Sequence, residues 1–185
     1  MANMYIHGAD FSDKAMQGLA KKLATGLDLQ IGTGTGNVAD NLANSGRGIF
    51  WVSKLMWVGT TAQPSCQAAL PAACTNANKF VFLEHVRFGN GVLQTSDRDA
   101  STGHPGAARD TFGRITVDVV KTANAAVPEP YQTKFYNLWQ VSSPATSRTP
   151  LADGQIIYVV EGYFKSPDLS LGALQGNGVY ARWFF

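Results

Sequence analysis

The stretch that closes the chain, Asp153 to Phe185, constrains the fold more than any other: DGQIIYVVEGYFKSPDLSLGALQGNGVYARWFF. From Ile156 to Phe164 it has no Pro and concentrates Ile, Val, Tyr and Phe, which favour a pleated backbone, so the sequence predicts a strand there. At period two, Ile156, Tyr158, Val160 and Phe164 share one face. Ile157, Val159 and Tyr163 make the other face apolar too, interrupted by Glu161. A strand apolar on both sides belongs inside a sheet, covered above and below. Val160 is therefore expected to be buried, and Glu161 to be either solvent-facing or paired with a base. Ser166-Pro167-Asp168 ends the strand, and Gly176-Asn177-Gly178 opens a final one from Val179 to Phe185.

Upstream, Asp10 and Asp13 mark a helix start, and Met16, Leu19, Ala20, Leu23 and Leu27 recur on one helical face. Lys21 and Lys22 suit the C-terminal end of that helix, and Gly26 its cap. Asn37 is placed to cap a short second helix through Ala43. Gly48 to Val58 reads as a nearly continuous apolar strand. Thr60 to Asn78 reads as a long loop rich in Pro, Ala and Ser.

Lys79 to Phe88 is a second clear strand, with Phe80, Phe82, Val86 and Phe88 sharing a face with Glu84, opposite Val81, Leu83, His85 and Arg87. Gly89-Asn90-Gly91 ends it, and Thr95 to Asp110 is polar. Arg114 to Val120 alternates like a half-solvated strand, Phe135 to Val141 reads as a short strand or turn, and Ser142 to Pro150 as a linker. Helix first and strands afterwards predict an α+β fold, an N-terminal amphipathic helix packed on an antiparallel β-sheet. Residues 1–47 form the helical segment and 48–185 the sheet region of one domain.

Composition limits the function classes. A chain of 185 residues with 45% hydrophobic content can build a sizeable core. Fifteen basic against thirteen acidic residues leave +2, without a run of Lys or Arg, so nucleic acid is not an expected partner. The 15% charged fraction and nineteen glycines resemble exported surface proteins. Cys66 and Cys74 lie close enough in one loop to bridge if it turns back, the alternative being two free thiols. We expect the bridge.

Few motifs carry chemistry. LDLQIGTGTGN, Leu27 to Asn37, holds Gly32, Gly34 and Gly36 and superficially resembles the first motif of S-adenosylmethionine-dependent methyltransferases. Asp28 stands four residues before Gly32 rather than two, and no βαβ rhythm follows, so a connector with no cofactor is expected. Asp97 to Gly103 alternates oxygen side chains as a calcium loop does, but its glycine falls one place late and Ala108 stands where a closing acid is needed. His7, His85 and His104 are not spaced as a zinc set, so no metal is expected. Glu84 and Glu161 both interrupt apolar strands. A catalytic pair and structural ion pairs with Arg87, Arg114 or Arg182 are both open to them.

The segments VVEGYF and GVYARWFF, with GIFWVSKLMWVG, the Cys66 to Cys74 loop and NKFVFLEHVRFGN, resemble TadE/TadG-like pilus assembly proteins, the pseudopilins of tight-adherence (Flp-type) pili. The resemblance implies a structural or accessory subunit rather than an enzyme. Its partners would be other pilus or pseudopilin subunits or copies of itself, and its place the periplasm or cell surface. Members of that family begin with an inner-membrane helix, and the segment from Met1 does not read as one, so the resemblance implies a missing N-terminal anchor. Trp51, Trp57, Trp139 and Trp183 are the first interface candidates, because aromatics anchor contact patches. The competing readings are a small S-adenosylmethionine- or nucleotide-binding enzyme built on Gly32 to Gly36, and a secreted binding module using Thr95 to Asp110.

Overall fold

Apolar runs bounded by glycine set the two long strands of the sheet, β2 (Gly48–Val58) and β3 (Lys79–Asn90), which pair antiparallel from Ile49 opposite Gly89 to Val58 opposite Lys79. The computed structural model describes Lys22 and residues 40–68, 74–93, 103–129, 131–142, 151–165 and 179–184. β4 (Ile156–Phe164) lies antiparallel on the other side of β2, and β5 (Val179–Phe184) antiparallel on β4. A short strand, β1 (Asp40–Ala43), pairs in parallel with the end of β3, giving the order β1-β3-β2-β4-β5. No helix among the described residues is long and apolar enough to cross a membrane.

The α+β class holds, with differences in detail. The sheet is mixed rather than antiparallel, because β1 joins it in parallel. The predicted helix through Ala43 is instead β1, so the boundary drawn at residue 47 cuts off a strand of the sheet. The amphipathic helix from Asp10 lies outside the described residues, apart from a helical Lys22. Arg114 to Val120 is not a strand: only Arg114 and Ile115 make bridges, to Glu84 and Arg109. Asp118 then turns the chain, its carboxylate accepting from Val120 N–H at 3.0 Å and its carbonyl from Thr122 N–H at 3.0 Å. Phe135 to Val141 lies within a helix. The long loop after β2 carries one short helix, α1 (Pro64–Ala68), and the longer helix is α2 (Tyr131–Ser142).

α2 starts where Pro128 O accepts from Tyr131 and Gln132 N–H, and its inward residue Phe135 sits edge-on to Phe80, ring centroids 4.8 Å apart. Gln132 completes the outer edge of β3 as a neighbouring strand would. Its Oε1 accepts from Phe80 N–H (3.1 Å) and its Nε2 donates to Phe80 O (2.8 Å). One face of the sheet carries the larger cluster: Leu55, Phe80, Phe82, Ile157 and Val159 under Val127 and Phe135. The other carries Val58 and Val81, packed with Cys66 and, half-buried, Cys74. Those two cysteines form a disulfide, Cα–Cα 5.2 Å, which ties α1 to the segment leading into β3.

A bulge decides which side chains of β3 face which cluster. Lys54 pairs with Glu84 but Leu55 pairs with Phe82, so Leu83 is the extra residue. Beyond it the phase inverts: Phe80, Phe82, His85 and Arg87 share a face, and Val81, Glu84, Val86 and Phe88 share the other, which corrects the simple alternation read from the sequence. β4 lies inside the sheet as expected, between β2 and β5 with Val160 8% exposed, whereas Glu161, at 0%, is not solvent-facing.

Candidate functional site

The bulge turns His85 toward Ser53 on β2, its register partner, and the two side chains meet: Ser53 Oγ and His85 Nδ1 are 2.9 Å apart. On its other side His85 Nε2 lies 2.8 Å from Nδ1 of His104, which a polar loop delivers across nineteen residues of sequence. That loop is fixed at both ends. Gly103, at φ 66, lets the backbone press against the Tyr131 ring, where a Cβ would stand 2.7 Å from Cδ2. At the far end Ala107 N–H donates to Asn124 O at 2.9 Å. Arg109 adds a third tie, its Nη1 donating to the His85 carbonyl at 2.9 Å.

His85 and Ser53 are sealed in, at 0% and 1% exposure, whereas His104 is half-buried and lines a cavity of about 320 Å³. Lys79, Gly106, Asn124, Val127 and Glu129 line the same cavity. Burial, and then the charges of His104, Arg109 and Arg87, hold the His85 imidazole well below its ordinary value, so it is neutral at pH 7. A neutral imidazole carries one ring proton, so Ser53, His85 and His104 form a chain that can run in either direction. Ser53 stands at the closed end of that chain and cannot meet a substrate as a nucleophile. The group presented to the cavity is the His104 ring, oriented from behind by His85. A second cavity of about 210 Å³ lies beside it, bounded by Trp57, Phe80, Gln132 and Tyr136 and sharing Glu129.

The other sequence candidates fall elsewhere. Glu84 and Glu161 cannot act as a pair, because their register partners Lys54 and Trp51 lie on opposite faces of the sheet. Glu161 accepts a short hydrogen bond from the Tyr180 hydroxyl, and Arg182, its register partner on β5, stacks its guanidinium on the Tyr180 ring at 4.8 Å. Trp51 is fully buried in a cluster with Ile49, Leu93 and Tyr163, so it is core rather than an interface residue. Trp57 is half-buried against Phe80 and Tyr136. The Trp139 and Trp183 side chains, the glycine run from Gly32 to Gly36, His7 and the loop from Asp97 to Thr102 lie outside the described residues. Among the described residues no three His, Cys, Asp or Glu side chains gather as a metal site.

The pairing of His85 with His104 has no motif in the sequence. A lone histidine on an apolar strand was the one available signal, and the bulge that aims it left no mark in the sequence. Compared with protein-family models, curated proteins and solved structures, the chain matches none of them.

Proposed function

We propose that the chain is a structural or accessory subunit of a bacterial pilus assembly system of the tight-adherence type, acting through protein–protein contacts. One observation carries this reading. β5, the strand VYARWF, stands at the end of the sheet with β4 as its one strand neighbour among the described residues. A Pro-free edge strand offers a row of backbone donors and acceptors to an incoming strand, the means by which many subunits join sheet to sheet. The disulfide fits an oxidising compartment.

The test is a photoreactive phenylalanine analogue at Val179, the first residue of β5, with irradiation of cells that make the protein in its native host. Covalent adducts with a second copy or with a pilus subunit are expected. Irradiation that gives no intermolecular adduct, together with saturable binding of S-adenosylmethionine or a nucleotide to the purified chain, would replace this reading with the enzyme.

A further inference from the structure

We propose that the hydrogen bond between His85 and His104 is an acid-operated latch: it holds the 103–107 loop against β3 at neutral pH and releases it when both imidazoles are protonated, opening the cavity that His104 lines. Across a nitrogen-to-nitrogen hydrogen bond of 2.8 Å one proton is shared between two ring atoms. With His104 charged, its Nδ1–H donates to His85 Nε2, and His85 Nδ1–H donates onward to Ser53 Oγ, so one charge on the pair is accommodated. A second is not, because two N–H groups would then face each other.

The surroundings set the same limit. The groups facing His85 are Ser53 from β2, the Phe82 ring and Arg87 from β3, His104 from the loop, and Arg109, whose guanidinium reaches the His85 carbonyl. Among the described residues, the charges that act on His85 are all basic. Around His104 the cavity supplies Lys79 and Glu129, one charge of each sign. The closed arrangement therefore takes at most one proton where the opened loop, with two hydrated imidazoles, takes two. Opening is coupled to uptake of at least one proton, and its equilibrium constant should rise about tenfold or more for each pH unit below about 6.5, down to the depressed value of closed His85.

The geometry makes the loop the part that yields. His85 sits inside β3, held by pairing to β2 along the strand, whereas the ties of the loop include the packing of Gly103 on Tyr131, the His104 contact and the Ala107-to-Asn124 hydrogen bond, with Arg109 just beyond it bonded to the His85 carbonyl. His104 and Gly106 of the loop line the cavity together with Ala123, Asn124 and Glu129, so moving the loop changes its shape.

The experiment is amide hydrogen exchange on the full, disulfide-intact chain between pH 7.5 and about 5, corrected for intrinsic exchange rates. The Ala107 amide should lose protection about tenfold or more per pH unit below about 6.5, while the Val127 amide, bonded to Phe80 O in the body of the fold, keeps its own. In His85→Gln, whose side chain keeps a hydrogen-bonding group toward Ser53 and His104 and cannot be charged, His104 can hold its proton with the loop closed or open, so the Ala107 amide should open to the same extent at all these pH values or with a markedly shallower slope. The proposal is overturned if Ala107 protection is independent of pH in the wild-type protein. It is equally overturned if Ala107 and Val127 lose protection together, which is global acid unfolding, or if His85→Gln keeps the full wild-type slope.

Discussion

Asp153 offers a quantitative test of how the two ends of the sheet region are joined. Its Oδ1 accepts from Gly59 N–H at 2.8 Å and its Oδ2 from Ser65 N–H at 2.9 Å, so one carboxylate ties the turn before β4 to the end of β2 and to the first turn of α1. Partial burial pushes this carboxyl up, but the Ser65 and Gly59 backbone donors and the Ser65 hydroxyl outweigh it and hold it below its ordinary value. Asp153→Asn keeps the shape and one acceptor but turns an NH2 group toward the other N–H. Hydrogen bonds to a charged acceptor contribute about 1.5–3 kcal/mol each, and discounting for solvent access leaves an expected loss of about 1–2 kcal/mol.

Urea unfolding at pH 7 measures it. With a slope of about 2 kcal/mol per M, the midpoint should fall by about 0.5–1 M. The sign of the pH dependence follows from the lowered value. The carboxylate's contribution is fully present above the unfolded-state value near 3.8 and is lost as pH falls through the lower folded value, so the two proteins should converge in acid. A midpoint unchanged at pH 7, or a gap that stays constant down to about pH 2, would refute the reasoning.

Two further outcomes are expected. Reducing the Cys66–Cys74 bridge, which closes a sequence separation of 8, should cost about 2–3 kcal/mol, read as a lower urea midpoint in reductant, and an unchanged midpoint with reduction verified by mass would count against it. Val160→Asp places a carboxylate at a site 8% exposed, opposite Val52 and Trp183. At several kcal/mol against a total stability of about 5–15, it should abolish cooperative melting by circular dichroism, and a variant melting at the wild-type temperature would show that β4 does not lie inside the sheet.

What could be read from the sequence divides along physical lines. β2, β3 and β4 were legible because each is a long β-branched and aromatic run ended by Gly, Pro or Asp, and such runs have few other uses. α2 was missed because YQTKFYNLWQV carries strand-favouring aromatics. The better signal was the Pro128 to Pro130 lead-in with Tyr131 and Phe135 one turn apart. β1 was missed because a four-residue strand pairing in parallel has almost no local signature, its partner lying more than forty residues away. Of the candidate site, both histidines were noticed singly, but their meeting depends on packing around Gly103 and Tyr131 that no spacing rule encodes.

The bulge at Leu83 is the step that connects the fold to the site. Phe80 and Phe82 fix one phase of β3 by filling the larger cluster, and strict alternation from them would send Glu84, Val86 and Phe88 inward and His85 to the opposite face. The extra residue inverts that phase, so Val81, Val86 and Phe88 are buried on the opposite face. Glu84 is delivered opposite Lys54, on the face where Lys54 also meets the Tyr158 ring at 5.7 Å, and His85 opposite Ser53. The outer edge of β3 is shaped at the same point. Ile115 N–H donates to Leu83 O and His85 N–H to Gly113 O, both at 2.9 Å, so the segment carrying Arg109 to Ile115 docks where the bulge interrupts the ladder. Through that docking Arg109 reaches the His85 carbonyl. A single inserted residue thus sets the polarity of both faces and gathers the basic groups around His85, which makes a bulge-free β3 incompatible with the histidine pair.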